Sequence, residues 1–170
     1  MLRGGLRIKS DLFVKVIVDA NIVFSGILNT KGKIADLLIN SLGLIDFIAP
    51  DFLRLEIRKN HYRLIKISKL TIDQILESEF LVCKDIKFIS EEQVLESNWL
   101  SAYQLVKDVD EKDVQYVAFS KQFDQKIWSG DKQLIRGLKQ KSFESFITTE
   151  ELHQMRERIK MLKKLKRGGG

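Results

Sequence analysis

Val14-Lys15-Val16-Ile17-Val18 is a β-branched run that stops at Asp19, and it is the first of five short strand-like segments separated by helix-length amphipathic stretches. This alternation constrains the chain more than any other feature. A strand, a helix and a second strand in one sheet join by a right-handed crossover in nearly every case. Repetition of that unit gives a parallel sheet covered by helices on both faces. The expected fold class is therefore α/β, a three-layer sandwich with a central parallel sheet of about five strands.

The other strands are expected at Phe47-Ile48-Ala49, Ile86 to Ile89, Lys126-Ile127-Trp128 and Phe143 to Ile147. After the first strand the sequence reads as a polar stretch, Asn29 to Gly32. A helix follows with Ile34, Leu37, Leu38 and Leu42 on one face, ended by Gly43 as a left-handed cap. Pro50 and Asp51 open a helix carrying Phe52, Leu55 and Glu56. Thr71 and Gln74 have the spacing of a capping box, as do Thr148 and Glu151. Ser90-x-x-Gln93 starts a helix through Leu95, Trp99, Ala102, Tyr103 and Val106. Asp110-x-x-Asp113 starts another, along Val114, Val117 and Ala118, and Leu134, Ile135 and Leu138 mark a short one.

With 170 residues, the chain is read as one domain over 14–165. Residues 1–13 read as an N-terminal extension or a remnant of expression, and 166–170 as a basic and glycine tail. No apolar run reaches the roughly 18 residues of a membrane span, and the first residues lack the apolar core of a signal peptide. Cys83 is the one cysteine, so neither an internal disulfide nor a cysteine zinc site can form. It reads as a small buried hydrophobe, and a cytoplasmic location is expected. The net charge is +6, with seven of the 29 Lys and Arg residues falling after Glu150. Such a basic end suits phosphate backbones, or is a solvated helix face.

In parallel sheets, ligands bind at the carboxyl ends of the strands. Asp19 follows the first strand directly, and Asp131 follows the fourth after two residues. Asp113 lies in the first turn of the helix before that strand, and Glu56 in the second turn of the helix after the second strand. All four should meet at one edge. Clustered carboxylates repel one another, and a divalent cation relieves the conflict. Mg²⁺ or Mn²⁺ held there would activate water and neutralise a phosphate. Each acid alone has a plainer role: Asp19 as a turn cap, Asp131 as a helix cap, Asp113 as a dipole partner and Glu56 as an exposed helix residue. Convergence at the strand ends favours the site for Asp19 and Asp131; Glu56 has the least independent support.

Val18-Asp19-Ala20-Asn21 after a β-branched strand resembles the opening motif of PIN domains. Leu55-Glu56-Ile57, Asp110 to Ala118 and Ile127 to Lys132 resemble the family's later acidic motifs, in order. The resemblance spans about residues 15–150. It implies a Rossmann-like sheet and a Mg²⁺- or Mn²⁺-dependent ribonuclease with Asp19, Glu56, Asp113 and Asp131 as metal-binding acids. It also implies support from Asn21 and Ser129, with Asp110 as an auxiliary acid or a plain helix cap. Glu111 and Lys112 separate Asp110 from Asp113, which leaves open which of the two is the principal ligand. Many bacterial family members of this length are toxins of type II toxin–antitoxin pairs, similar to the VapC group, so the resemblance implies a small antitoxin and a homodimer as partners beside RNA.

Lys132, Lys163 and Lys164 are the candidate contacts to RNA, although Lys132 also reads as a plain surface lysine. His61 and His153 read as exposed helix residues rather than as partners of a carboxylate, and Trp99, Tyr103 and Trp128 as core. Two other functions compete. A strand ending in Asp also marks haloacid-dehalogenase-like phosphatases, but those carry a second Asp where this chain has Asn21. A non-catalytic PIN scaffold that binds RNA or protein is the other. No phosphate-binding glycine loop or dinucleotide fingerprint is present, which argues against NTP and dinucleotide chemistry.

Overall fold

The computed structural model describes residues 14–168. The expected extension over 1–13 and the last two glycines lie outside the described residues. Five parallel strands form one sheet: β1 (Val14–Val18), β2 (Ile45–Pro50), β3 (Ile86–Ile89), β4 (Lys126–Trp128) and β5 (Phe146–Ile147). Their spatial order is β3-β2-β1-β4-β5. The connection out of β1 runs to one side and the later strands are added on the other, so the order switches between β1 and β4. Eight α-helices accompany them among the described residues: α1 (Ala20–Leu28), α2 (Lys33–Asn40), α3 (Phe52–Ser68), α4 (Ile72–Cys83), α5 (Glu96–Val106), α6 (Val114–Phe123), α7 (Lys132–Lys139) and α8 (Thr149–Gly168). The expected α/β sandwich is the observed one.

Strand alternation builds the two cores. Val16, Val18, Phe47, Ala49 and Trp128 face α1 to α4 and Leu152 of α8. Ile17, Ile48 and Ile127 face α5, α6 and α7. Successive side chains of a strand point to opposite faces, so strands buried on both sides read as unbroken apolar runs. Among the described residues, no helix is long and apolar enough to cross a membrane.

Several expectations need correction. The stretch after Asp19 is helix α1, which the sequence pattern does not reveal. Its nine residues are apolar nearly all round and include Gly26, a poor helix former. A Cβ there would meet Val82 of α4 at 3.2 Å, so that side chain would have to give by a few tenths of an ångström. Helix α2 ends at Asn40, and Leu42 lies beyond it, 75% exposed. Gly43 does adopt a left-handed conformation, φ 72°, but in the turn that follows. Ser90 caps a 3-10 turn, Glu91–Gln93, and α5 begins only at Glu96. Strand β5 is reduced to two residues because Phe143 turns under Phe146 in an edge-to-face contact. Tyr103 is largely exposed rather than core. His61 is not a free surface residue: it pairs with Glu79 across α3 and α4 at 2.6 Å.

Both capping boxes form as read. Thr71 and Gln74 exchange their bonds at α4, and Thr148 and Glu151 do so at α8. Helix α8 runs back toward the amino edge of the sheet and continues through Lys166 and Arg167, which read as tail in the sequence. Its anchor is Arg156, 3% exposed. The guanidinium donates to the Asp36 carboxylate at 2.6 Å and to the Asp36 carbonyl at 3.3 Å, and it faces the buried Ser41 hydroxyl at 3.5 Å. The Asn40 amide and then Arg156 hold the Asp36 carboxyl below its usual range. Arg156→Ala is expected to cost about 2 kcal/mol, because it strands these acceptors while leaving Asp36 able to reach water. Thermal melting in EDTA checks this; an unchanged midpoint would mean that α8 is held by packing alone.

Candidate active site

At the carboxyl edge of the sheet lies a cleft of about 460 Å³, lined by Asp19, Asn21, Glu56, Asp110, Asp113 and Asp131 together with neutral and basic side chains. A cavity at the opposite edge, beside Val14, Lys126 and Arg158, has only Asp124 as an acid. The cleft sits where β1 and β4 lie side by side and the chain leaves them in different directions, the usual place for a ligand in an open α/β sheet.

Asp19 ends β1 and caps α1: its Oδ1 accepts from the Ile22 amide at 2.9 Å. It is 3% exposed. Burial pushes its carboxyl up to about 6, opposed by a hydrogen bond from Ser129 and reinforced by the Asp131 charge. Asp131 caps α7, with Oδ1 accepting from the Gln133 and Leu134 amides, both at 2.9 Å. Its Oδ2 has no protein partner among the described residues. Ser129 is buried and connects the two acids. Its hydroxyl hydrogen-bonds the Asp19 carboxylate and accepts from the Asp131 amide at 3.1 Å. The plain capping role and the site position are thus held by the same residues.

Asp113 begins α6 without capping it by side chain. Burial, then the charges of Asp110, Asp19 and Asp131, push its carboxyl up to about 7. Asp110 spends one oxygen on the Lys112 amide at 3.0 Å and is exposed. Among the described residues, Glu56, half-buried on α3, and Asp113 accept no side-chain hydrogen bond and form no ion pair. Behind them, the Tyr116 hydroxyl and Gln115 Oε1 are buried with no hydrogen-bond partner among the described residues. Burial and the charges of Asp19, Asp113 and Glu56 push the Tyr116 phenol up. Asn21 is exposed at the rim, and its backbone N–H donates to Asp19.

Asn60, Arg63, Lys112 and Gln115 also line the cleft; Lys112 and Gln115 fall within the Asp110 to Ala118 motif but are not among its acids. Asn60 and Arg63 could have been found, since they fall four and seven residues after Glu56 on one helix. Lys132 is exposed and does not line the cleft. Lys163 donates to the Gly43 carbonyl in the turn before β2, and so lies, with Lys164, toward the amino edge of the sheet. The basic end of the chain is therefore far from the acids.

Among the described residues, no three His, Cys, Asp or Glu side chains are drawn tightly enough to enclose an ion alone. The donors present are nevertheless all oxygen, and two of them resist ionisation through burial and mutual repulsion. That chemistry fits a hard divalent cation, which needs only one or two carboxylates beside water and phosphate. Cys83 plays no part; burial and then Glu79 push its thiol up to about 12.

The family described as PIN domain matches residues 17–158, from within β1 to the middle of α8. No curated protein matches the chain. PIN domains are in general nucleases that act on nucleic acid and usually use divalent metals, in keeping with an acid-lined cleft. The match sets aside the phosphatase alternative. It covers every acid of the cleft and most of the chain, and the chain belongs to the PIN-domain family.

Proposed function

We propose that this chain is a metal-dependent endoribonuclease in which Asp19, Glu56, Asp113 and Asp131 hold Mg²⁺ or Mn²⁺ and Asp110 assists. Support comes from five carboxylates of four separate segments lining one cleft. The ion would supply charge neutralisation at the scissile phosphate and a lowered pKa for the attacking water. The protein's own groups set the rest. Ser129 ties the Asp19 carboxylate to the Asp131 backbone. Glu56 and Asp113, unspent on capping or ion pairs, are available from the facing helices. Lys112 and Arg63 at the cleft wall offset part of the acidic field that would otherwise repel a phosphate.

The domain is assigned to 14–165. The role of toxin in a type II toxin–antitoxin pair, with a small antitoxin and a homodimer, and a cytoplasmic location rest on the resemblance of the motifs to the VapC group. Purified protein incubated with a mixed RNA pool is expected to cut in Mg²⁺ or Mn²⁺ and not in EDTA. Asp131→Asn should lose about a thousandfold, the equivalent of several kcal/mol of charge stabilisation. A folded Asp131→Asn protein that cut at the wild-type rate would sink the site. For the toxin role, induced expression should arrest growth for wild type and not for the variant; normal growth with an active enzyme would remove that role alone.

A further inference from the structure

Helix α3 forms one wall of the cleft. Phe52, Glu56, Asn60 and Arg63 line it, at spacings of four, four and three that keep them on one stripe. The adjoining stripe turns to solvent and carries Lys59, Arg63 and Lys66, again at helical spacing, with Arg63 shared between the two. Arg58 and Tyr62 flank it on the outer side, and Tyr62 is 78% exposed. The helix bears five basic residues against one acid, Glu56, which faces the cleft. Among the described residues, Arg58, Lys59, Arg63 and Lys66 have no acidic partner. Elsewhere, Lys33, Lys141 and Arg156 are each neutralised by a carboxylate.

A row of unneutralised cations that meets an acidic cleft at its middle member, Arg63, and extends along the helix to either side complements a polyanion whose one phosphate must enter that cleft. The rise of about 1.5 Å per residue spreads Lys59, Arg63 and Lys66 over roughly two turns, within reach of neighbouring phosphates for long side chains. An exposed tyrosine beside such a row offers a face on which an unpaired base can stack, which a duplex does not provide. We propose that the outer face of α3 is the track for a single-stranded RNA substrate leaving the cleft, with Lys59, Arg63 and Lys66 on its phosphates and Tyr62 under a base. The choice of RNA rests on the proposed ribonuclease function; the track itself rests on the charge and the cleft.

The test is binding of a short labelled mixed-sequence RNA in EDTA, single-stranded and as a duplex, followed by anisotropy over a range of salt. The triple variant Lys59→Gln, Arg63→Gln, Lys66→Gln should bind the single strand at least about tenfold more weakly, and its log K against log salt slope should shrink by about 2, at roughly 0.7 for each lost contact. Tyr62→Ala should weaken binding about tenfold with the slope unchanged. Lys163→Gln with Lys164→Gln, at the other edge, should change neither. Lys59, Tyr62, Arg63, Lys66 and Lys164 are exposed and Lys163 is partly so, and unchanged melting temperatures confirm folding. Unaltered affinity and slope in the triple variant would overturn the track, as would tighter binding of the duplex, an equal loss at Lys163 and Lys164, or no binding by wild type. Cleavage with Mn²⁺ is read in parallel. Binding through α3 without cleavage keeps the track and removes the nuclease; cleavage with normal binding by the triple variant does the reverse.

Discussion

Asp19→Asn should inactivate the protein and, in the same tube, make its metal-free form melt higher at pH 8. Asn caps a helix as well as Asp, so the bond to the Ile22 amide survives the change. What disappears is a charge held at 3% exposure beside Asp131. Raising a carboxyl from 3.8 to about 6 places roughly 2–3 kcal/mol of destabilisation on the folded state at a pH above both values. Relief of that amount corresponds to about 5–10 °C in a chain of this size. Melting in EDTA at pH 8 reads it directly. A variant that melts below wild type there would show that something other than the buried charge governs stability at Asp19.

The second large effect is a pH dependence that runs opposite to ordinary acid denaturation. Asp19 and Asp113, raised to about 6 and about 7, bind more protons in the folded than in the unfolded chain between about pH 4 and pH 7. Their contribution is therefore fully present below the unfolded value and is lost as pH rises through the folded values. Asp36, Glu150 and Glu151 are held down by their hydrogen bonds to Asn40, Lys33 and Thr148, and their contribution is lost at the acid end. Metal-free protein should melt highest near pH 5 and lower at pH 8, by an amount worth about 3–4 kcal/mol once the partial exposure of Asp113 is discounted. Mn²⁺ competes with protons for the same oxygens, so it should raise the melting temperature far more at pH 8 than at pH 5. A midpoint that climbs from pH 5 to pH 8 in EDTA would refute the coupling among these acids.

Much of this architecture is written locally. Strands buried on both faces announce themselves as β-branched runs, and Thr71-x-x-Gln74 and Thr148-x-x-Glu151 announce helix starts through the atoms that make the bonds. Helix α1 is hard to read because its cap, Asp19, reads equally as the end of a strand, and its exposed face is marked by only two polar residues, Asn21 and Ser25. Strand β5 reads too long because Phe143 looks like a strand residue until Phe146 claims its ring. In the cleft, the acids are legible because topology alone sends strand ends to one edge. Lys112 and Gln115 are not, since their place depends on the 3-10 turn before α6, whereas Arg63 follows from its spacing after Glu56. The pairing of His61 with Glu79 likewise depends on how α3 and α4 lie against each other.

The strand order has a consequence for the protein while it is being made. Chains are synthesised amino end first, and non-local pairings form last. Strands β1, β2 and β3 with α1 to α4 can associate as soon as Ile89 has emerged, whereas β4 joins β1 only after α5 and α6 have been added. Until then Asp19 and Glu56 stand without Asp113 and Asp131. A nascent chain on the ribosome thus has half of its acidic cluster and no wall opposite α3. The acidic cleft is completed only once β4 has emerged and the sheet grows to its second side.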